Sequence, residues 1–249
     1  LVTAYGGSGF AVRKVPIYPQ LSAQVKAEGV PLNNPQTFGQ STKATFTPYT
    51  VMAQAVLTDE EVETDIQNAV SNAQKELGGA IATKIDEDLI AEFTNLTTGK
   101  GSGGSALTLS NVAAAIGVLR NKKAMGQVSV VLHAYQWHDI WTLLGQPATQ
   151  MPGLGDFTNE ALRNYFVGTV LAANWYVSAN ITPDATPNAI GAVFTREAFA
   201  LDTRRAPTME GERDQDILAF KVNFHAAYDA GVLRSEFGVK LTSDATEPT

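Results

Sequence analysis

The fold is decided by residues 58–95, which read TDEEVETDIQNAVSNAQKELGGAIATKIDEDLIAEFTN. Thr58, followed three residues later by Glu61, forms a capping box, and Asp59 and Glu60 place negative charge in the first helical turn. Apolar side chains then recur every three or four residues: Val62, Ile66, Val70, Ala73, Leu77, Ile81, Ile85, Leu89 and Phe93. We therefore predict one long helix of roughly 55 Å.

The interior of this predicted helix holds two adjacent glycines, Gly78 and Gly79. Glycines of this kind are a common cause of helix kinks, so we predict a kink here. A coiled coil would show a similar apolar stripe, but it would also need regular charges beside the stripe and a second long helix. The sequence has neither, which favours a spine helix laid across a sheet.

Residues 1–57, which precede the helix, have no helical period. Five of the eleven prolines lie here, together with Gly6, Gly7, Gly9, Gly29 and Gly39. Residues 10–18 and 43–57 have the composition of β-strands, and apolar and polar residues alternate in the second stretch. Residues 25–40 between them are polar. The pattern predicts a glycine-rich tail followed by a long hairpin with a wide tip.

This N-terminal segment has few large apolar side chains to offset the entropy of ordering it alone, about 1–2 kcal/mol per residue. The segment must therefore be disordered or find its partners elsewhere, and its strand pattern favours an arm that packs on partners. The alternative is a mobile tail on an ordinary enzyme.

A glycine-rich stretch, GKGSGGS at 99–105, predicts a flexible linker and a domain boundary. It is not a phosphate-binding loop, because Lys100 is followed by Gly101 and not by Ser or Thr.

Helices and strands alternate after this linker. Helices are predicted at 110–125 with Ser110 as the N-cap, at 134–144 with Trp137 and Trp141 on one face, and around 160–164 after a Gly/Pro loop at 145–155. Strands are predicted at 128–132, 166–171, 175–178, 190–195, 199–204, 220–224, 232–236 and 239–242, with a charged turn over 204–216. The elements together predict an α+β fold.

Composition excludes several classes of function. The 249 residues hold no cysteine, carry a net charge of −7 and contain no apolar run long enough to span a membrane. The acidic balance argues against a strong nucleic-acid-binding surface.

No motif of a catalytic or metal-binding site emerges. His133 and His138 do not share a helix face, the HExxH spacing is absent, and His225 lies in a strand pattern. The consecutive acids at 86–88 spread over different faces of a helix and predict a solvated surface. We therefore assign no catalytic, cofactor-binding or metal-binding residue, expect no cofactor, and predict that the protein is not an enzyme.

Several short stretches are informative in their order along the chain. They are AEG (27–29), ATFT (44–47), VLTDE (56–60), VVLHAYQW (130–137), GTVL (168–171), WYVS (175–178), FTREAFAL (194–201) and YDAGVLR (228–234). Together with the succession of arm, hairpin, long helix, linker, α/β region and closing strands, they resemble the tailed-phage major capsid proteins with the Hong Kong 97-like fold.

This resemblance implies a division of the chain. The implied parts are an N-terminal arm (1–20), an extended hairpin loop (21–57), a peripheral domain with the spine helix (58–97 and 196–230), and an axial α/β domain (106–195 and 231–243). It also implies a coat protein that self-assembles into pentamers and hexamers of an icosahedral head enclosing double-stranded DNA. Assembly is expected in the host cytoplasm, and the product is located in the virion.

The expected partners are other copies of the chain, decoration, portal and scaffolding proteins, and packaged DNA through weak non-specific contacts, with no membrane. Some members of the family cross-link a loop lysine to an asparagine. Lys26 and Lys43 lie in the right segment, but without a matching asparagine or glutamate we assign no such site. A protease removes an N-terminal region in many members, which would account for a start at Leu1. The residues expected at subunit junctions are Arg204, Arg205, Glu210, Glu212 and Arg213.

Two alternatives remain open. One is the shell protein of a bacterial nanocompartment, which shares the fold. The other is a small-ligand-binding α/β protein that uses Trp137 and Trp141 as a pocket wall.

Overall fold

The structure is a computed structural model that describes residues 1–18, 21–26, 28–29, 42–64, 68–144 and 169–248. The predicted loop at 145–155 and the predicted helix at 160–164 lie outside the described residues, as do most of the hairpin tip at 25–40 and the start of the strand at 166–171.

Within the described residues the helices and strands have the following bounds. The strands are β1 (Thr3–Gly6), β2 (Arg13–Ile17), β3 (Thr42–Phe46), β4 (Tyr49–Thr58), β5 (Thr98–Gly101), β6 (Val128–Leu132), β7 (Thr169–Val170), β8 (Ala173–Val177), β9 (Asn188–Thr195), β10 (Phe199–Asp214), β11 (Ala219–Val232) and β12 (Gly238–Asp244). The α-helices are α1 (Asp59–Thr64), α2 (Ala69–Ala91), α3 (Leu109–Asn121) and α4 (Ala134–Leu144), and 3-10 turns occupy Glu92–Asn95 and Ser235–Phe237.

The first sheet has the strand order β1-β10-β11-β4. β10, β11 and β4 are antiparallel neighbours, whereas β1 joins the edge of β10 in parallel. The helix α2 lies across one face of this sheet, where Ile81 and Ile85 pack against Ala226 and Tyr228. This is the arrangement that the apolar stripe of the spine helix predicts.

The second sheet has the order β5-β12-β9-β6-β8-β7 and contains the larger core. Every residue of β6 is buried, as expected for an inner strand covered on both faces. Val112 and Leu119 of α3 and Ile140 of α4 are fully buried in this core. The predicted bounds of β6 and α4 are confirmed.

The spine helix starts where the sequence predicts, but it is not one continuous helix. The capping box is confirmed: the Thr58 N–H donates to Glu61 Oε2 at 3.1 Å, and the Glu61 N–H donates to Thr58 Oγ1 at 3.3 Å. The single long helix is wrong, because α1 ends at Thr64 and α2 starts after Asn68, whose φ is 66°. Asparagine tolerates this left-handed conformation, which ends helical geometry. α2 runs through Gly78 and Gly79 without a break, and the kink predicted at these glycines stays a prediction.

The predicted hairpin is also shorter than expected. β2 pairs with β3 from Arg13↔Phe46 to Ile17↔Thr42, but β4 pairs with β11 and not with the arm. The stretch 43–57 is therefore two strands that part at Pro48, which has no N–H for a continued ladder.

The arm makes more contacts with its own chain than predicted. β1 pairs with β10 from Thr3↔Ala200 to Gly6↔Thr203. The prediction that the arm finds its partner in another copy is wrong for these residues, because the edge of β10 supplies the missing hydrogen-bond partners within the chain.

The glycine-rich stretch is not a plain linker. Residues Thr98–Gly101 form β5, an edge strand parallel to β12. Gly101 has a φ of +84°, and a β-carbon there would overlap the carbonyl oxygen of Thr242. The close approach of two backbones explains this glycine better than flexibility does.

Three further predictions are corrected. Residues 204–216 are mainly strand, since β10 continues to Asp214 and the turn lies at 215–218. The N-cap of α3 is Thr108 and not Ser110: Thr108 Oγ1 accepts from the Asn111 N–H at 3.3 Å. The predicted strand at 232–236 is mostly a loop and a 3-10 turn.

Candidate inter-subunit surfaces

The N-terminal arm is attached to the first sheet through one buried carboxylate, that of Asp202. Asp202 of β10 has a fully buried side chain, and its Oδ2 lies 2.8 Å from Arg204 Nε and 3.5 Å from Arg13 Nε. Arg13 also donates to the carbonyl oxygen of Gly6 at 2.8 Å, and Arg204 donates to that of Ala11 at 3.1 Å. Both arginines therefore tie arm backbone to β10.

A second carboxylate lies next to Asp202 on the neighbouring strand. Asp229 of β11 is in register with Asp202, so the two side chains share a face. Burial and the negative charge of Asp202 raise the pKa of Asp229, although the Thr47 N–H donates to its Oδ2 at 2.5 Å. Like charges directly opposite each other are destabilising, and the two arginines offset them. We call Arg13, Asp202, Arg204 and Asp229 the arm clamp.

An aromatic contact completes the attachment of the arm. Phe46, at the end of β3, is 1% exposed and packs over Gly231 of β11. The ring of Tyr5 in β1 lies 6.3 Å from that of Phe46. A β-carbon at position 231 would lie 3.1 Å from the Phe46 ring, so a larger residue there would require the ring to shift.

The spine helix is fixed to the same sheet through Asp88. Its Oδ2 accepts the hydroxyls of Tyr49 and Tyr228, each at 2.7 Å, and its Oδ1 lies 2.7 Å from Lys84 Nζ. Burial opposes ionisation of Asp88, but these three hydrogen bonds outweigh it and hold its pKa below the usual value. Burial and the bond to Asp88 raise the pKa of both tyrosines.

Asp88 is thus a structural residue that the sequence reasoning missed. The solvated surface predicted for residues 86–88 is wrong at this position. The sequence does indicate this position, because Asp88 follows Ile81 by seven residues and Ile85 by three and so lies on the buried face of the helix.

The far end of the β10–β11 hairpin carries exposed charge. Of the residues expected at subunit junctions, Arg204 is buried in the arm clamp. Arg213 makes two hydrogen bonds to Asp59, at 2.6 and 2.7 Å. Glu210 and Glu212 are exposed, and β1 covers β10 only as far as Thr203.

The described residues contain no cluster of three or more His, Asp or Glu side chains that could hold a metal ion. His133 is buried, which lowers its pKa, and its Nδ1 accepts from the Tyr135 N–H at 3.2 Å. Trp137 lies 6.5 Å from Trp141 and 5.5 Å from Trp175, ring to ring, and is 4% exposed. Trp137 and Trp175 belong to the larger core, and Trp141 packs against it. In the same part of the chain, no helix is long and apolar enough to cross a membrane.

The family follows from a comparison of the sequence with family models. Residues 47–241 match the model of a family described as phage capsid protein. The chain belongs to this family. It is a structural major capsid protein and not an enzyme. A comparison with curated protein sequences gives no significant match.

Solved capsid structures share the fold of this capsid protein. The capsid of the cyanophage P-SCSP1u aligns with a TM-score of 0.73 and 14% identity, over 98% of this chain and 87% of that one. The structure of Mycobacterium phage Che8 gives 0.67 and 18%, over 92% and 84%. A virus-like particle from Pyrococcus furiosus gives 0.59 and 12%, over 96% and 89%. At these identities the likeness concerns the fold, and the predicted Hong Kong 97-like α+β fold is confirmed.

Proposed function

We propose that this capsid protein self-assembles into pentamers and hexamers that tile an icosahedral phage head around double-stranded DNA. The observation that carries the proposal is the family match, which extends from Thr47 in the arm to Leu241 in β12. The fold likeness to phage capsids over nearly the whole chain supports it.

We further propose the domain division 58–97 with 196–230 as peripheral, and 106–195 with 231–243 as axial. Two separate hydrophobic clusters support it, one under α2 and one within the six-stranded sheet. β4 pairs along its length with β11, which favours assigning residues 49–57 to the peripheral sheet and ending the hairpin loop at about residue 48.

The proposed partners are other copies of the chain, portal, scaffolding and decoration proteins, and packaged DNA, and the proposed site of assembly is the host cytoplasm. The net charge of −7 supports only weak, non-specific contact with DNA, because tight binding needs clustered Lys and Arg.

Sedimentation followed by electron microscopy tests the proposal. We expect the expressed chain, alone or with its scaffolding partner, to sediment as megadalton particles. Particles from infected cells should contain nuclease-protected double-stranded DNA. Cargo protein in place of DNA would favour the nanocompartment alternative. A chain that remains monomeric under all conditions would refute the proposal.

A further inference from the structure

The helix α4 begins at an unusual cap, the imidazole of His133. His133 directly precedes α4, and its carbonyl oxygen accepts the Trp137 N–H at 3.0 Å, which is the first backbone hydrogen bond of the helix. Its Nδ1 accepts the Tyr135 N–H at 3.2 Å. The first N–H groups of a helix have no partner within the helix, and the N-cap side chain normally accepts one of them. His133 therefore occupies the N-cap position of α4.

Gln136 completes this cap from the other side. Its Oε1 accepts the His133 N–H at 3.1 Å, so the two residues form a capping box in which an imidazole replaces the usual hydroxyl. The Gln136 side chain is fully buried, and its Nε2 donates to the Ala189 carbonyl oxygen at 2.9 Å and to Ser243 Oγ at 2.8 Å. The cap thus joins the start of α4 to β9 and β12 of the second sheet.

The imidazole can cap the helix only while it is neutral. Because Nδ1 accepts a hydrogen bond, the single proton of the neutral ring lies on Nε2. His133 is 8% exposed, and this burial lowers its pKa. A proton on Nδ1 would remove the acceptor, bury a charge and place that charge at the positive end of the helix dipole. All three effects destabilise the start of α4.

The elements around the cap offer the charged imidazole no compensating partner among the described residues. β6 and β9 carry no titratable side chain. The titratable groups on the other surrounding elements are Tyr135, His138 and Asp139 of α4, Tyr176 of β8, and Lys240 and Asp244 of β12. Both acids already accept backbone N–H groups, Asp139 that of Leu107 and Asp244 that of Thr246. Burial therefore acts on the pKa of His133 without an opposing carboxylate.

We propose that His133 is a pH-sensitive cap, whose protonation releases the start of α4 from β9 and β12. The neutral imidazole stabilises the helix start fully above the ordinary histidine pKa of about 6.5. This contribution is lost as the pH falls below that value towards the lower pKa of the folded state. The chain has three histidines, so substitution of each in turn assigns the response to one of them.

Hydrogen exchange over the first turn of α4, measured by mass spectrometry at about pH 7.5 and about pH 5, tests the cap on either side of the histidine pKa. Protection factors are corrected for the intrinsic exchange rate at each pH. We expect the wild-type chain to lose about fivefold in protection at the lower pH, the typical effect of losing an N-cap. His133→Asn should lose none, because asparagine is a good N-cap that does not titrate. His133→Ala should be about fivefold less protected than neutral wild type at both pH values.

The matched controls are His138→Gln on α4 and His225→Gln, which removes the histidine that lies 3.9 Å from Glu210. Both controls should respond to acid like wild type. An equal loss of protection in His133→Asn, or a loss that disappears in either control, would assign the response to another group and overturn the proposal. A wild-type helix that is equally protected at both pH values would overturn it as well.

A second measurement needs no variant. Exchange of the carbon-bound hydrogen of each imidazole depends on its protonation, and mass spectrometry resolves the three histidines of the wild-type chain. We expect His133 to titrate below the ordinary histidine value of about 6.5. A midpoint at or above this value would refute the buried neutral cap, even if His133→Asn failed to fold.

Discussion

The arm clamp predicts a large effect for one conservative substitution, Asp202→Asn. The change removes the charge while keeping the shape, and it leaves Arg204, whose side chain is 7% exposed, without its closest partner at 2.8 Å. Removing one member of a buried ion pair costs about 3–5 kcal/mol. We expect the lower end, about 3 kcal/mol, because relief of the repulsion with Asp229 offsets part of the loss.

The matched variant is Arg13→Gln, which removes the arm's side of the clamp but leaves the Asp202–Arg204 pair intact. It loses a charged hydrogen bond to Gly6 and the contact of the guanidinium with the Tyr5 ring, 5.6 Å away. The Arg13 side chain is 25% exposed, so solvent screens these contacts and the expected cost is about 1–2 kcal/mol. Most of this cost should appear as local opening of β1 and not as global unfolding.

Urea unfolding followed by tryptophan fluorescence measures the global cost, and hydrogen exchange of the β1 amides measures the local one. Asp202→Asn should lower the unfolding midpoint strongly. Arg13→Gln should mainly accelerate exchange at Thr3–Gly6. An Asp202→Asn protein within 1 kcal/mol of wild type would show that the buried carboxylate is not the anchor of the arm.

Three further predictions concern single positions. Phe46→Ala should lower the free energy of unfolding in urea by about 3–5 kcal/mol, because it empties the site over Gly231. The control Phe10→Ala, at a side chain that is 52% exposed, should change it by no more than about 0.5 kcal/mol. Equal effects of the two variants would contradict the packing of Phe46. Gly101→Ala should destabilise the fold by more than about 1 kcal/mol, because position 101 has a positive φ and a β-carbon there would overlap β12. A neutral result would favour the interpretation of this stretch as a flexible linker. The depressed pKa of Asp88 means that its ionised form stabilises the fold above the usual carboxyl pKa of about 4, and that this contribution is lost as pH falls through the lower folded value. Asp88→Asn should therefore reduce the loss of unfolding free energy that the wild-type protein shows as the pH falls below about 4. If this acid-dependent loss is the same in the variant, Asp88 does not cause it.

Local sequence patterns predict those helices, strands and caps that are determined by residues close to each other in the chain. The capping box at Thr58, the strand 128–132 and the helix 134–144 all appear as predicted, because each follows from side-chain chemistry within a few residues. The interruption after Thr64 was missed because the break depends on one left-handed residue, Asn68, inside an otherwise regular apolar stripe.

Long-range pairings could not be predicted in the same way. β1 pairs with Ala200–Thr203, and the Asp202–Arg13 pair joins equally distant parts of the chain. Such partners depend on the final topology and leave no periodic signal in the sequence. The glycines at 99–101 show a related ambiguity, since flexibility and a close backbone approach call for the same residue.

A cryo-electron-microscopy reconstruction of particles from infected cells tests the central claim most directly. The account predicts a closed icosahedral shell of pentamers and hexamers of this chain, with α2 lying across the β1-β10-β11-β4 sheet and DNA inside. Particles whose shell is built by a different protein, with this chain absent from the capsomers, would contradict it.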